Sequence, residues 1–284
     1  MDQRRSKSIR IGSESSSLAP TSIIVDDEST WPEDLRVVFE KNLAVLTAYE
    51  EERARVDALA ETDVVVRSHP PGNPHAGRRA SVLDNANDLM VVAQLVGWHC
   101  TRLHPDEIAA IQRDGLHVLS RELAVDRVRA RAKAGDLSPK IAARLVTENV
   151  AHEFNRRGIV WLIFTKPLLR DEHGVIRLFR SWGGESLYDG QERDPETGPV
   201  LQGIGIPCIV EVVVPVMGIE SFCSVGERVM RGFLHRRNVA TGHSPEMEGN
   251  VRESIVGRDV RRVIRRDDPD YELLTGCSTW RERI

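Results

Sequence analysis

Three short runs of this 284-residue chain carry the side chains that could do chemistry. The first is Trp98-His99-Cys100-Thr101-Arg102-Leu103, where a lone histidine closes an apolar stretch and so faces a cleft. Arg102 adds a planar guanidinium whose fork suits phosphate oxygens. The second run is Ser181-Trp182-Gly183-Gly184-Glu185-Ser186-Leu187-Tyr188. Its paired glycines permit a tight turn and a close approach of backbone to a ligand. Glu185 could then hydrogen-bond a sugar and Tyr188 could stack on a base; the plainer alternative is a Gly-Gly turn with a surface carboxylate. The third run opens at Glu253, ahead of the apolar stretch that reaches Ile264. Trp161 and Phe164, in Val160-Trp161-Leu162-Ile163-Phe164, could wall a ring-binding pocket and serve equally well as core.

Other chemistries find no footing. His99, Cys100 and His104 do not make a zinc site, because neighbouring strand residues point to opposite faces and no second ligand pair stands at metal spacing. Gly-x-Ser-x-Gly is absent, as are phosphate-binding loops of the Walker and Gly-x-Gly-x-x-Gly types. The stretch from Ala134 to Leu145 has the outline of a helix-turn-helix without its basic face.

The elements that must hold these residues follow from periodicity and punctuation. Met90 to Val96 reads as a buried strand that leads into His99. Pro105 and Gly115 bracket a short helix with Ile108 and Ile111 on its inner face. Ser120 caps a helix ending at Gly135, and Ser138-Pro139 opens another that runs to Val150. Strands are expected at Ile159 to Phe164, Ile176 to Ser181 and Pro207 to Pro215, with a solvated loop from Asp189 to Pro199. Helices come first and strands follow, which argues for an α+β fold. Upstream, residues 1–29 have the composition of a disordered tail, 30–62 form one long amphipathic helix, and 63–83 are a linker or loop around His69-Pro70-Pro71-Gly72. The compact domain then spans 84–284.

A formal charge of −4 gives no global electrostatic footprint for nucleic acid or an anionic membrane. Locally the picture differs: from Gly226 to Arg266 ten arginines stand against five acidic residues, a charge of +5 that could hold nucleic acid on a basic face or simply be a salt-bridged surface. No apolar run approaches the roughly 20 residues needed to span a bilayer. The N-terminus lacks the apolar stretch of a signal peptide, and the four cysteines are scattered without a C-x-x-C pair, so a reducing cytoplasm is the expected location.

His99 and Thr101 in the pattern His-x-Thr, followed by the helix with Ile108, Ile111, Gly115 and Leu116, resemble the first strand and first helix of the ADP-ribosyltransferase superfamily. That superfamily includes the poly-ADP-ribose polymerases, rifampin-modifying transferases and RNA 2′-phosphotransferases, and the likeness is to its poly-ADP-ribose polymerase and diphtheria-toxin-like branch. The resemblance implies a split β-sheet core behind an N-terminal helical appendage, with NAD as the substrate. It also implies transfer of ADP-ribose to an unidentified acceptor, in bacterial relatives as a toxin or in defence against phage. On that reading His99 hydrogen-bonds a ribose hydroxyl, Thr101 and Arg102 help to bind, and Trp161 or Phe164 stacks on nicotinamide where the family commonly has tyrosine. A late-strand carboxylate, Glu253 by chain order or Glu185 by local chemistry, stabilises an oxocarbenium-like transition state. Two alternatives stand beside it: an RNA 2′-phosphotransferase on the same fold, and a non-catalytic module that binds nucleic acid or protein.

Overall fold

The alternation Ile23, Val25 in the first described residues already turns apolar side chains inward, and the chain there belongs to the fold. The computed structural model describes residues 22–284. In it β1 (Ser22–Ile23) pairs in parallel with the start of β2 (Gln94–Leu103), and Ile23, Val25 and Trp31 are buried. Residues 22–29 of the tail expected over 1–29 therefore belong to the fold, and 1–21 lie outside the described residues.

Pro32 presets the backbone for a helix, and α1 runs for 30 residues (Glu33–Thr62), burying Leu35, Phe39 and Leu46. The linker expected next is mostly helical: α2 (Val64–Ser68) is capped by Asp63, and α3 (Ala76–Met90) buries Val82, Ala86 and Met90 at spacings of four. A domain boundary at Asp84 would cut α3 in half. Met90 likewise closes a helix instead of opening a strand. The apolar run from Met90 straddles two elements, with Val91 and Val92 exposed in the turn between them.

The short helices read from Pro and Ser signals stand as expected. They are α4 (Pro105–Asp114), α5 (Arg121–Ala134) and α6 (Pro139–Glu148); Ser120 and Ser138 hydroxyls accept from the amides of Leu123 and Ile141. Gly115 ends α4 at φ 99°, where a Cβ would stand 1.8 Å from the Ile255 carbonyl, so only glycine fits. It opens β3 (Gly115–Leu116).

After β4 (Val160–Ile163) come α7 (Lys166–Leu169) and α8 (Glu172–Arg180). Ile176 to Ser181 is thus helical through Arg180: Val175, Ile176 and Phe179 bury one helical stripe, and the Asp171 side chain caps the start. The β-branched Val175-Ile176 pair imitates a strand only while its neighbours' spacing is ignored. Next, α9 (Glu185–Tyr188) and α10 (Thr197–Gly203) flank a turn-rich stretch, so the loop expected up to Pro199 ends early, with Thr197 and Gly198 buried. The remaining elements are β5 (Ile206–Pro215), β6 (Ile219–Glu220), α11 (Val225–Arg236), β7 (Glu248–Val251), β8 (Ile255–Val256), β9 (Val260–Arg265) and α12 (Pro269–Thr275).

Among the described residues the main sheet runs β6-β7-β4-β2-β5-β9, antiparallel apart from β1, and β3 pairs with β8 in a small second sheet. Mixed helix and sheet agree with the α+β expectation. One face of the sheet, through Leu95, Val210, Val212 and Leu162, packs on Leu35, Phe39, Met90 and Phe233 of α1, α3 and α11. The N-terminal helix consequently shares the principal core and is no appendage. The opposite face, through Val96, Trp98 and Ile209, meets Val175, Phe179 and Tyr271. A third cluster, with Val128, Leu145, Trp182 and Leu201, ties α5, α6, α9 and α10 together.

Candidate functional site

β2 and β4 pair at one position, Trp98 with Ile163, and then part. The imidazole of His99 spans the gap: Nδ1 lies 2.9 Å from the main-chain carbonyl oxygen of Trp161. A carbonyl can only accept, so Nδ1 carries the proton in that bond. Burial among protein atoms lowers the His99 pKa; the Trp161 carbonyl opposes this and the charge of Arg127 adds to it. The ring is therefore neutral at pH 7, and Nε2 of this half-buried residue is left as an acceptor for a hydroxyl.

From this parting opens a cleft of about 890 Å³, large enough for a dinucleotide-sized ligand. His99, Thr101, Trp161, Glu185 and Tyr188 all line it, although they come from separate parts of the chain. Trp161 is 43 % exposed and lines the cleft. Phe164 does not: it is fully buried in the main core, packed over Gly97, where a Cβ would come within 2.9 Å of its ring. Strand alternation gives Phe164 the face of Val160 and Leu162, which is the core face.

Arg102 also departs from its expected place. Its Nε donates to the Ile204 carbonyl at 2.8 Å and Nη1 to that of Phe179 at 3.1 Å, so the guanidinium satisfies backbone outside the cleft wall. Tyr188 is a wall residue with no free ring for a base. It is buried, Arg177 lies over it at 5.3 Å, and burial raises its hydroxyl pKa.

The two carboxylates expected to compete are separated by the fold. Glu185 begins α9 just after Gly183 and Gly184, at φ 101° and 71°, and its exposed carboxylate lies 3.9 Å from Arg156 Nε. Glu253 is exposed in the turn between β7 and β8 and lies off the cleft wall. In its stead the late strand beside β4 brings Glu248, paired across the ladder with Ile163, and Glu246 just before it; both line the cleft. Sequence reasoning passed over them because Glu246-Met247-Glu248 is too short an alternation to register as a strand. Arg127 and Arg156, also in the wall, sit on helix and turn positions with no local signal.

The basic segment is dispersed by the fold. Arg231 pairs with Glu227, Arg236 and Arg237 with Glu28, Arg252 with Glu220, Arg262 with Glu211 and Asp270, and Arg265 with Asp267. These charges belong to α11, the β7–β8 turn and β9, and each is offset by a carboxylate partner. Burial pushes the thiols of Cys100 and Cys208 up, the latter to about 12, which leaves them small hydrophobes rather than nucleophiles. Among the described residues no group of side chains could hold a metal, and no helix is long and apolar enough to cross a membrane. Searches against protein-family models, curated proteins and solved structures found no match to this chain.

Proposed function

We propose that the cleft binds NAD and transfers its ADP-ribose to an acceptor. The carrying observation is the convergence, at the parting of β2 and β4, of an acceptor-poised imidazole, an exposed indole and carboxylates. In the reaction the bond between nicotinamide and ribose C1′ breaks, and its electron pair leaves with nicotinamide. The acceptor's oxygen or nitrogen then bonds to C1′ and gives up a proton. Positive charge grows on the sugar as the bond lengthens, so a nearby carboxylate lowers the barrier. His99 Nε2 accepts from a ribose hydroxyl, and Trp161 covers the nicotinamide ring. Glu185 or Glu248 faces the developing charge. First, second and late strands bearing these residues are neighbours, β2, β4 and β7, which supports the reading drawn from the His-x-Thr pattern.

The test is purified protein with labelled NAD and cell extract, following nicotinamide release and label transfer. His99→Ala and whichever of Glu185→Gln or Glu248→Gln removes the stabilising charge should each lower the rate about a hundredfold or more. Glu253→Gln should leave it unchanged. Wild-type protein that releases no nicotinamide and labels nothing defeats the proposal.

A further inference from the structure

The cleft wall holds a cation that the residues assigned so far do not use. Arg127 of α5 is 23 % exposed; its Nε donates to Glu107 Oε1 at 2.7 Å and Nη1 to the Gly183 carbonyl at 3.3 Å. Glu107 is itself held, accepting from Trp182 Nε1 at 2.7 Å and from the His104 amide at 2.8 Å. The Arg127 guanidinium also lies over the Trp182 ring, 5.1 Å from its centroid. With two edges fixed, Nη2 remains buried without an acceptor in the protein.

Arg156 repeats the pattern from the other side of the same corner. It pairs with Glu153, its Nη2 donates to Asp189 at 2.8 Å, and its Nε, 3.9 Å from Glu185, is buried without an acceptor. Two guanidiniums thus bracket Gly183-Gly184-Glu185. Each is oriented by carboxylates and each keeps one unmatched donor, as Arg36, Arg79 and Arg228 also do, but Arg127 and Arg156 stand together at one corner of the cleft wall. Both side chains line the cleft and are partly exposed there, so two fixed cations stand ready for an oxygen anion that enters it, and the planar fork matches phosphate oxygens.

We propose that Arg127, with Arg156 beside it, forms an anion subsite of the cleft that takes a phosphate or diphosphate group of the substrate. This rests on the reading of the cleft as an NAD site and gives Arg127 the contact that Arg102, bonded to backbone elsewhere, does not make. Arg127 is also close enough to His99 for its charge to help hold the imidazole neutral, so the anion site and the ribose site are electrostatically linked.

The experiment titrates the full chain with inorganic phosphate, pyrophosphate, ADP-ribose and nicotinamide by calorimetry, in wild type, Arg127→Gln, Arg127→Lys and Arg258→Gln. Arg127→Gln should weaken pyrophosphate and ADP-ribose about tenfold to a hundredfold, the loss expected for one charged hydrogen bond. Arg127→Lys should recover part of that loss, keeping the charge without the fork, and it serves if the glutamine variant fails to fold. Nicotinamide binding and Arg258→Gln should match wild type. Phosphate binding as tightly as pyrophosphate would assign the site to a single phosphate group; pyrophosphate binding more tightly would assign it to a diphosphate. Either result supports the subsite. By proton resonance the His99 pKa should rise in Arg127→Gln, a shift that loss of packing alone does not require. Wild type that binds neither phosphate, pyrophosphate nor ADP-ribose overturns the subsite. So does unchanged affinity for all of them in both Arg127 variants, even if nicotinamide is released from NAD. Arg127-dependent binding without nicotinamide release keeps the subsite and removes the transfer reading.

Discussion

The layer of α1, α3 and α11 and the wall of the cleft solve opposite problems. The first is built from long helices whose apolar stripes meet the sheet, with Phe39 at its centre between Trp31 and Phe233, their ring centroids 6.1 and 5.2 Å away. The second is assembled from short helices, left-handed glycines at Gly183 and Gly184, and arginines pinned by carboxylates. Regular elements exclude water efficiently but present convex, apolar surfaces. A concave polar surface needs corners, and corners expose backbone that must be paired one group at a time. The molecule separates the two tasks, placing stability in the helical layer and rigid polar groups where β2 and β4 part.

The comparison can be broken first on the packed side. Phe39→Ala removes a ring that joins α1 to α11, and should destabilise the protein by about 3–5 kcal/mol in denaturant unfolding. A loss no greater than that of an exposed residue would mean that α1 is dispensable. At the cleft corner, Gly183→Ala forces a side chain onto φ 101° and places its Cβ 2.7 Å from Leu187. About 1–3 kcal/mol should be lost there, together with affinity for ADP-ribose. Unaltered ligand affinity would show that the corner is only a turn.

The smallest effect is a pH dependence carried by the imidazole. Its folded-state pKa lies below the ordinary 6.5, so the unfolded chain binds the proton more readily. The contribution of His99 is therefore present above pH 6.5 and is lost as pH falls from there toward the folded-state value. Stability measured across that window should slope upward with pH in wild type and flatten in His99→Gln. An identical slope in both would place the titration elsewhere.

Much of the local structure was legible in the residues. Pro105, Ser120, Ser138 and Gly115 mark helix ends by their own conformational limits, so α4, α5 and α6 could be read without any partner. Met90 to Val96 and Val175-Ile176 were not legible, because short β-branched runs suit a buried helix face as well as a strand, and only the packing of α3 and α8 chooses. For the site, His99, Thr101, Trp161 and Glu185 carried chemical signals of their own and meet in one cleft. Phe164 and Arg102 carried equally good signals and turned away from it.

By itself the sequence determined which residues have reactive or ring-bearing side chains, where helices must stop, and that the chain mixes helix with sheet. These follow from covalent geometry and from periods of a few residues. Only the tertiary structure decided that β4 stands between β2 and β7, that Glu248 reaches the cleft while Glu253 does not, and that Arg127 rather than Arg102 lines the cleft with His99. Strand order, register and the face a side chain takes depend on contacts between residues far apart in the chain, and no local propensity encodes them.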